Sequence, residues 1–391
     1  MSNRLGIKGY RCVRRVETQQ LDLHVRPTGR PRACRHCGHK RLRSKGRYQR
    51  RVRHLESLGR ESRLLVDCQR FVCQSVICGR SFVEPLPGIL PGRHSSEPFR
   101  EQIYVLHHEG IPGSVMARLR KLGAATVERI YAQFTRRKAS QRESLRCPVV
   151  LGLDEHTRHK KQRFATTFCD LRNHRIFDVV PGKSREDLAG FLATLQGRDK
   201  VKVVCIDLSS AYRALVRQYF PNAKIVADRF HVVRIVLHHF LELAKDLVPE
   251  LNARRGHFAL LRTNPGNLSP AQQARLTLLL GKYPVLGALY KRLRQLLTLL
   301  GHKHQSKWAC KPLIGKLLAH IADLKASGFA PMLTLASTLQ SWSAEIATMW
   351  RFTKNNGITE GFHRKMKLIQ RRAYGFKNFA NYRLRVLAAC G

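Results

Sequence analysis

Between residues 149 and 227 the chain carries a series of short apolar runs, each bounded by turn residues, and this stretch limits the fold more than any other. The runs are 149–153, 164–168, 176–180, 201–206 and 223–227, with helix-patterned stretches at 185–196 and 209–219 among the later ones. Runs of this length, rich in β-branched and aromatic residues, read as strands. Three close together, then helix, strand, helix, strand, predict an antiparallel meander continuing into βαβ units: a mixed sheet flanked by helices. Residues 232–350 turn Leu-rich and helical, with breaks near Pro249, Pro265, Pro284 and Pro331. They read as a helical insertion packed beside the sheet, within a body spanning 148–391.

Two of these strands end in acid, as Leu151-Gly152-Leu153-Asp154-Glu155 and Val203-Val204-Cys205-Ile206-Asp207. Side chains at neighbouring strand ends converge at one sheet edge, where open α/β structures bind ligands. The bland alternative is that Asp207 caps the helix after it. Asp228 also ends a strand and competes with Asp207, with His231 three residues on. A third acid is isolated in sequence: from Arg351 to Gly391, Glu360 is the one acidic residue among ten Lys and Arg. Arg364, Lys367 and Arg371 follow it at i+4, i+7 and i+11 on one helix face, with Arg372 adjacent. A metal at the carboxylate and phosphates along the basic stripe account for both features; the alternative is a simple i,i+4 pair between Glu360 and Arg364. Two carboxylates ~4 Å apart repel by about 4 kcal/mol at an effective dielectric near 20. A shared hard cation, Mg²⁺ or Mn²⁺, reverses that sign. Two such ions activate an attacking oxygen and stabilise a leaving one on phosphorus.

The charge balance names the partner. Lys and Arg number 72 against 26 Asp and Glu, a formal net charge of +46. Solubility needs only ~2–8 for a small domain, so a dense polyanion is expected, and nucleic acid is the first candidate. A membrane surface is the weaker rival: no apolar run approaches the ~18 residues of a spanning helix, and no signal-peptide pattern opens the chain. A cytoplasmic, nucleoid-associated protein is expected, with double-stranded DNA as partner and no membrane.

Eleven cysteines without an export signal argue against a disulfide framework. Cys12, Cys147, Cys169, Cys205, Cys310 and Cys390 are scattered and read as buried small hydrophobes. Cys34-Arg35-His36-Cys37-Gly38 and, later, Cys73-x4-Cys78 form two knuckles whose four thiolates suit a structural zinc ion. Cys68 is a possible substitute ligand, His36 and His39 possible intruders, and two unrelated cysteine pairs the alternative. Residues 30–90 are therefore read as a zinc ribbon, after a leading segment at 1–29. Residues 94–140 give three helical patterns, 97–108, 111–122 and 125–134, broken at Gly110 and Gly123. That pattern suits a helix-turn-helix, with Arg118 and Arg129 as candidate DNA contacts, or a helical linker.

Taken together, the motifs Leu151-Gly-Leu-Asp154-Glu155, Asp207-Leu-Ser-Ser-Ala-Tyr212, Val226-Ala-Asp228-Arg-Phe-His231-Val232 and Thr359-Glu360-Gly361, followed by Lys367, Arg371-Arg372-Ala-Tyr374-Gly375 and Phe379, resemble the bacterial insertion-sequence transposases of the ISL-three group. The resemblance spans nearly the whole chain. It implies a multidomain α/β protein: zinc ribbon, helix-turn-helix, then a ribonuclease-H-like mixed sheet with a helical insertion. It implies a DDE triad of Asp154, Asp207 and Glu360 holding Mg²⁺ or Mn²⁺, with Asp228 and His231 as an auxiliary Asp-x-x-His element. Cleavage and strand transfer at terminal inverted repeats follow, in a synaptic complex that is a homo-oligomer. Two positions depart from the family pattern: Arg35-His36 stands where Pro is common, and His363 where Asn is frequent. The rival reading is a silent DNA-binding regulator or decayed relic; an RNA-cleaving enzyme leaves the two sequence-reading domains without a purpose.

Overall fold

The computed structural model describes residues 5–57, 59–140, 146–159, 163–249, 251, 255–352, 356–373, 375–376 and 378–391. The motif position Tyr374 lies outside these. The chain divides into two compact units, Met1–Lys138 and Ala139–Gly391.

The first unit is built on a sheet of order β1-β2-β4-β3, with β5 paired to β4. Its strands are β1 (Tyr10–Glu17), β2 (Leu21–Pro27), β3 (Leu42–Ser57), β4 (Arg60–Cys73) and β5 (Ser81–Val83). The stretch ahead of the first cysteine pair, read above only as a leading segment, thus supplies two strands. Their inward residues Leu21, Leu23 and Val25 share a core with Val52, Leu64 and Val66. Strand β4 sends its alternate residues Leu64, Val66 and Cys68 into this core, as one face of a strand should. Much of β3 is exposed and basic, so its strand character is hidden from an apolar-pattern reading. Helices α1 (Glu97–His108), α2 (Gly113–Leu119) and α3 (Ala124–Ser140) follow; α1 has the expected bounds, α2 is shorter than expected and α3 continues past Phe134. They bury their own cluster of Phe99, Ile103, Tyr104, Met116, Val127, Ile130 and Phe134. Ser96 caps α1, accepting from Phe99 N–H, and its hydroxyl is 2.7 Å from His54 of β3.

The second unit carries the predicted mixed sheet, in the order β10-β9-β6-β7-β8. Strands β6 (Val150–His159), β7 (Arg163–Asp170) and β8 (Arg175–Pro181) form the antiparallel meander. Helix α4 (Arg185–Thr194) leads to β9 (Val203–Ile206), and α5 (Ser210–Tyr219) to β10 (Lys224–Ala227). Both β9 and β10 run parallel to β6. A helical layer follows: α6 (Arg229–Leu247), α7 (Arg255–Arg262), α8 (Pro270–Lys282), α9 (Pro284–Gly301), α10 (Lys307–Ala326), α11 (Ala330–Ser341) and α12 (Ser343–Arg351). The prolines read as breaks open helices here: Pro284 begins α9 and Pro331 lies in the first turn of α11, where a missing N–H costs nothing. The chain returns to the sheet as α13 (Gly357–Arg372) and α14 (Phe379–Cys390). One continuous core joins sheet and helices, from Leu151 and Val204 to Trp350 and Val386. The scattered cysteines 147, 169, 205, 310 and 390 are buried in it, but Cys12 is exposed on β1. That corrects the expectation for Cys12, which lies in a strand whose other residues between Arg11 and Arg15 are also exposed.

No helix among the described residues is long and apolar enough to cross a membrane.

Candidate active site and metal centre

The sheet register aligns three acids. Gly152 pairs with Cys205 and Ala227 with Ile206, so extending the parallel ladder brings Asp154, Asp207 and Asp228 into one row across β6, β9 and β10. The main chain keeps this order to the end, since Asp228 N–H donates to Ile206 C=O at 2.8 Å. Asp207 is released from the capping role it could have had: Ser209 caps α5, accepting from Tyr212 N–H. Asp228 precedes α6 yet makes no side-chain cap either. Both carboxylates turn instead to His231, whose Nδ1 is 2.9 Å from Asp207 Oδ1 and 2.8 Å from Asp228 Oδ2. Asp207, Asp228 and His231 bring one donor atom each within 4.8 Å of one another.

The electrostatics follow from this crowding. Burial, then the Asp207 charge, pushes the Asp154 carboxyl from 3.8 to about 7. Burial alone would lower His231, but its bonds to Asp207 and Asp228 raise it from 6.5 to about 9. A protonated His231 therefore neutralises part of the cluster at neutral pH. Asp207 and Asp228, held this close beside an Asp154 that is driven toward protonation but lies outside that group of three, are a donor pair that suits a hard divalent cation.

Helix α13 is fastened to this cluster by Asn356, which sequence reading did not single out, and by His363, which it noted only as a departure from the family pattern. Asn356, at its start, donates from Nδ2 to Leu153 C=O at 2.9 Å, and its main-chain N–H reaches Asp228 Oδ1 at 3.3 Å. Two turns on, His363 Nδ1 is 3.7 Å from Asp154 Oδ2, and Nε2 is 3.0 Å from the Thr167 hydroxyl of β7. Burial, with Lys367 nearby, lowers His363 to about 4, so it is neutral. Thr167 also meets His156 Nδ1 at 3.1 Å, and His156 Nε2 lies 2.8 Å from the Tyr382 hydroxyl of α14. A buried polar chain thus runs from Asp154 to the last helix. The available signal was His156, two residues beyond Asp154 and hence on the same strand face; Asn356 had none.

Glu360 sits on α13 between these two anchors. Its side chain is exposed and pairs with Arg364 at 3.1 Å, which is the i,i+4 pairing named above as the alternative. Its carboxylate is not among the donor groups that lie within 4.8 Å of each other. Arg364, Lys367, Arg371 and Arg372 are all exposed, opposite the buried Thr359, His363 and Met366. In the first unit Arg118 and Arg129 are exposed too, although Arg129 bonds back to Ala125 C=O and Thr126 Oγ1 of its own helix.

The cysteine cluster is Cys34, Cys37, Cys73 and Cys78. Cys34 and Cys78 sulfurs are 3.9 Å apart, and those of Cys37 and Cys73 are 3.6 Å apart. A tetrahedron with Zn–S of about 2.3 Å has sulfur–sulfur edges of about 3.8 Å, so the four thiols fit one structural zinc ion. Cys68 is excluded: it is fully buried in the sheet core and its thiol points to Val66 C=O. His36 packs edge-on to Phe82, 6.2 Å between centroids, and neither His36 nor His39 joins the cluster.

Comparison with known proteins gives the family. Residues 151–386 match a family described as Transposase, of the ISL-three group, and residues 30–78 match the zinc-finger of transposase IS204/IS1001/IS1096/IS1165. A Bordetella parapertussis protein, the transposase for insertion sequence element IS1001, is 29% identical over 406 residues, covering 98% of this chain and 96% of that one. The family match covers the sheet, the helical layer and α13, and with the zinc ribbon ahead of them the chain belongs to the ISL-three group of insertion-sequence transposases.

Proposed function

We propose that this protein binds the ends of an insertion sequence and catalyses metal-dependent DNA strand cleavage and strand transfer. The observation that carries the reading is the row formed by Asp154 within β6 and by Asp207 and Asp228 just past the ends of β9 and β10, with a helix bearing Glu360 fastened beside it. The sheet, a three-strand meander followed by two βαβ crossovers, is the arrangement expected of a ribonuclease-H-like domain. Asp154, Asp207 and Glu360 are assigned as ligands of Mg²⁺ or Mn²⁺, with Asp228 and His231 in support. An ion bound there supplies Lewis-acid activation of the attacking water or 3′-hydroxyl and stabilises the leaving oxygen.

The chain's own residues do the rest. Asp154 gives up the proton that its pKa of about 7 retains. Glu360 exchanges Arg364 for the cluster, which frees Arg364 to join Lys367, Arg371 and Arg372 on the DNA phosphates. His231, positively charged, keeps Asp207 and Asp228 together while no cation is bound. The zinc ribbon and the three helices, taken as a helix-turn-helix with Arg118 and Arg129 toward DNA, recognise the terminal repeats. Synapsis of two ends calls for at least a dimer on DNA.

Nicking of a plasmid that carries the element's ends tests this. Asp154→Asn, Asp207→Asn and Glu360→Gln are expected to retain end binding but lose cleavage by more than the roughly 10–100-fold typical of residues that only support a metal ligand. Asp228→Asn and His231→Ala are expected to fall within that range. Full cleavage by any of the first three variants overturns the assignment; the silent-regulator reading requires that the parent chain itself does not nick.

A further inference from the structure

The first turn of α6 sends three successive side chains in three directions. Arg229 turns into the body, donating to Leu300 C=O at 2.6 Å and Met349 C=O at 3.2 Å. His231 faces Asp207 and Asp228. Phe230, between them, is 51% exposed and belongs to no core cluster. Its ring stands edge-on to His231, 5.5 Å between centroids, and the Arg234 guanidinium lies 5.9 Å from its centre. An aromatic side chain left in water beside an acid cluster, with both sequence neighbours fully engaged, has no task in the fold.

From Phe230 a groove of about 340 Å³ follows one side of α6 past Arg234, Leu237 and Leu241 to Lys245 and Arg262. Fifteen residues of helix separate Phe230 from Lys245, about 22 Å at 1.5 Å per residue. Its one lining carboxylate, Glu242, is 3.7 Å from His238, which leaves Arg234, Lys245 and Arg262 as a cationic excess. An apolar floor, cationic edges and an exposed ring at the mouth match a specific occupant. Unpaired nucleotides offer flat base faces for the ring and phosphates for the cations. A duplex keeps its base faces stacked and offers the ring nothing.

We propose that this groove is a subsite for single-stranded DNA, in which Phe230 stacks one unpaired base next to the phosphodiester at the acid cluster and Arg234, Lys245 and Arg262 take the following phosphates. The proposal rests on the reading of the acid cluster as the cleavage centre, and it adds that strands near the cut are unpaired when they react.

The test is binding of the full chain, without added Mg²⁺, to a short oligothymidylate and to an abasic strand of equal length. The two carry the same phosphates and differ only in bases. The parent chain is expected to prefer the thymidylate by roughly 5- to 150-fold, the range that one stacked base provides. Phe230→Ala and Phe230→Leu are expected to abolish the preference while leaving abasic binding and melting temperature unchanged, and Phe230→Trp to preserve it. Trp308→Ala, which removes another exposed ring, is expected to change nothing. A preference that survives Phe230→Ala, or that vanishes with Trp308→Ala, overturns the proposal, as does its absence in the parent. Cleavage by the acid variants described above is a separate readout: it can fail while the stacking result stands, and the reverse.

Discussion

Replacing Gly152 with Ala probes the joint that fixes α13 to the sheet. Gly152 is the third residue of β6, paired on one side to Cys169 and on the other to Cys205, so its backbone has nowhere to go. A Cβ there would lie 2.5 Å from Asn356 Oδ1 and 2.9 Å from Leu171 Cδ2. Leu171 is fully buried, and Asn356 is the easier of the two to displace. Its displacement breaks the bond to Leu153 C=O and strands a buried carbonyl, which costs about 1–3 kcal/mol. Overpacking adds a similar amount, about 1–3 kcal/mol. Asn356→Ala alone forfeits the same side-chain bond but keeps the main-chain N–H to Asp228. In the double variant the new methyl occupies room that the Asn side chain has vacated, so the two losses overlap by at least about 1 kcal/mol. For a body of about 250 residues each kcal/mol moves Tm by about 2–4 °C. Calorimetry of the full chain should therefore find the Gly152→Ala, Asn356→Ala double variant melting several degrees above the sum of the single losses. Strict additivity, or a Gly152→Ala variant that melts like the parent, refutes the argument that this glycine exists to admit Asn356.

Metal affinity should rise with pH through about 7 and on toward about 9, because the ion competes with the proton on Asp154 and with the charge on His231; titration calorimetry in buffers of differing ionisation enthalpy reads the released protons, and Asp154→Asn should abolish the share of the lower step. Without metal, stability should decline as pH rises. Asp154, raised from 3.8 to about 7, and His231, raised from 6.5 to about 9, each favour the fold most below their unfolded values and lose that contribution as pH passes the folded ones. Thermal melts across that window check this, and increasing stability toward pH 9 contradicts it. Zinc analysis should find one ion per chain, lost in Cys37→Ser and retained in Cys68→Ser; retention in the first or loss in the second rejects the ligand set.

Much of the second unit was legible because its strands carry short apolar runs followed by acids, a pattern that depends on local sequence alone. Asp154 and Asp207 could be paired once the strand order was inferred. The zinc ligands were legible from knuckle spacing, and the sheet resolved the Cys68 ambiguity by burying it. The long hairpin of β3 and β4 was not read as strands because β3 is largely exposed and its arginines conceal the alternation. Asn356 and His363 were missed as fasteners since their partners, Leu153, Asp154 and Thr167, lie about two hundred residues away in sequence. The Glu360 carboxylate depends on something no periodicity reports: whether Arg364 or a cation holds it.

The bond between Asp228 and Asn356 joins residues 128 positions apart, and nearly all of the helical layer hangs between them. The polypeptide leaves the sheet and comes back to it beside the same acid, and the helices in between pack on the sheet through one continuous core, so only their exposed turns are free to vary in length. Doubling the length of such a turn raises the cost of closure by only about 0.6 kcal/mol. Insertions or deletions at the exposed turns between those helices would leave the acids in register, whereas one residue added between Asp228 and His231 would rotate the imidazole about 100° away from both carboxylates.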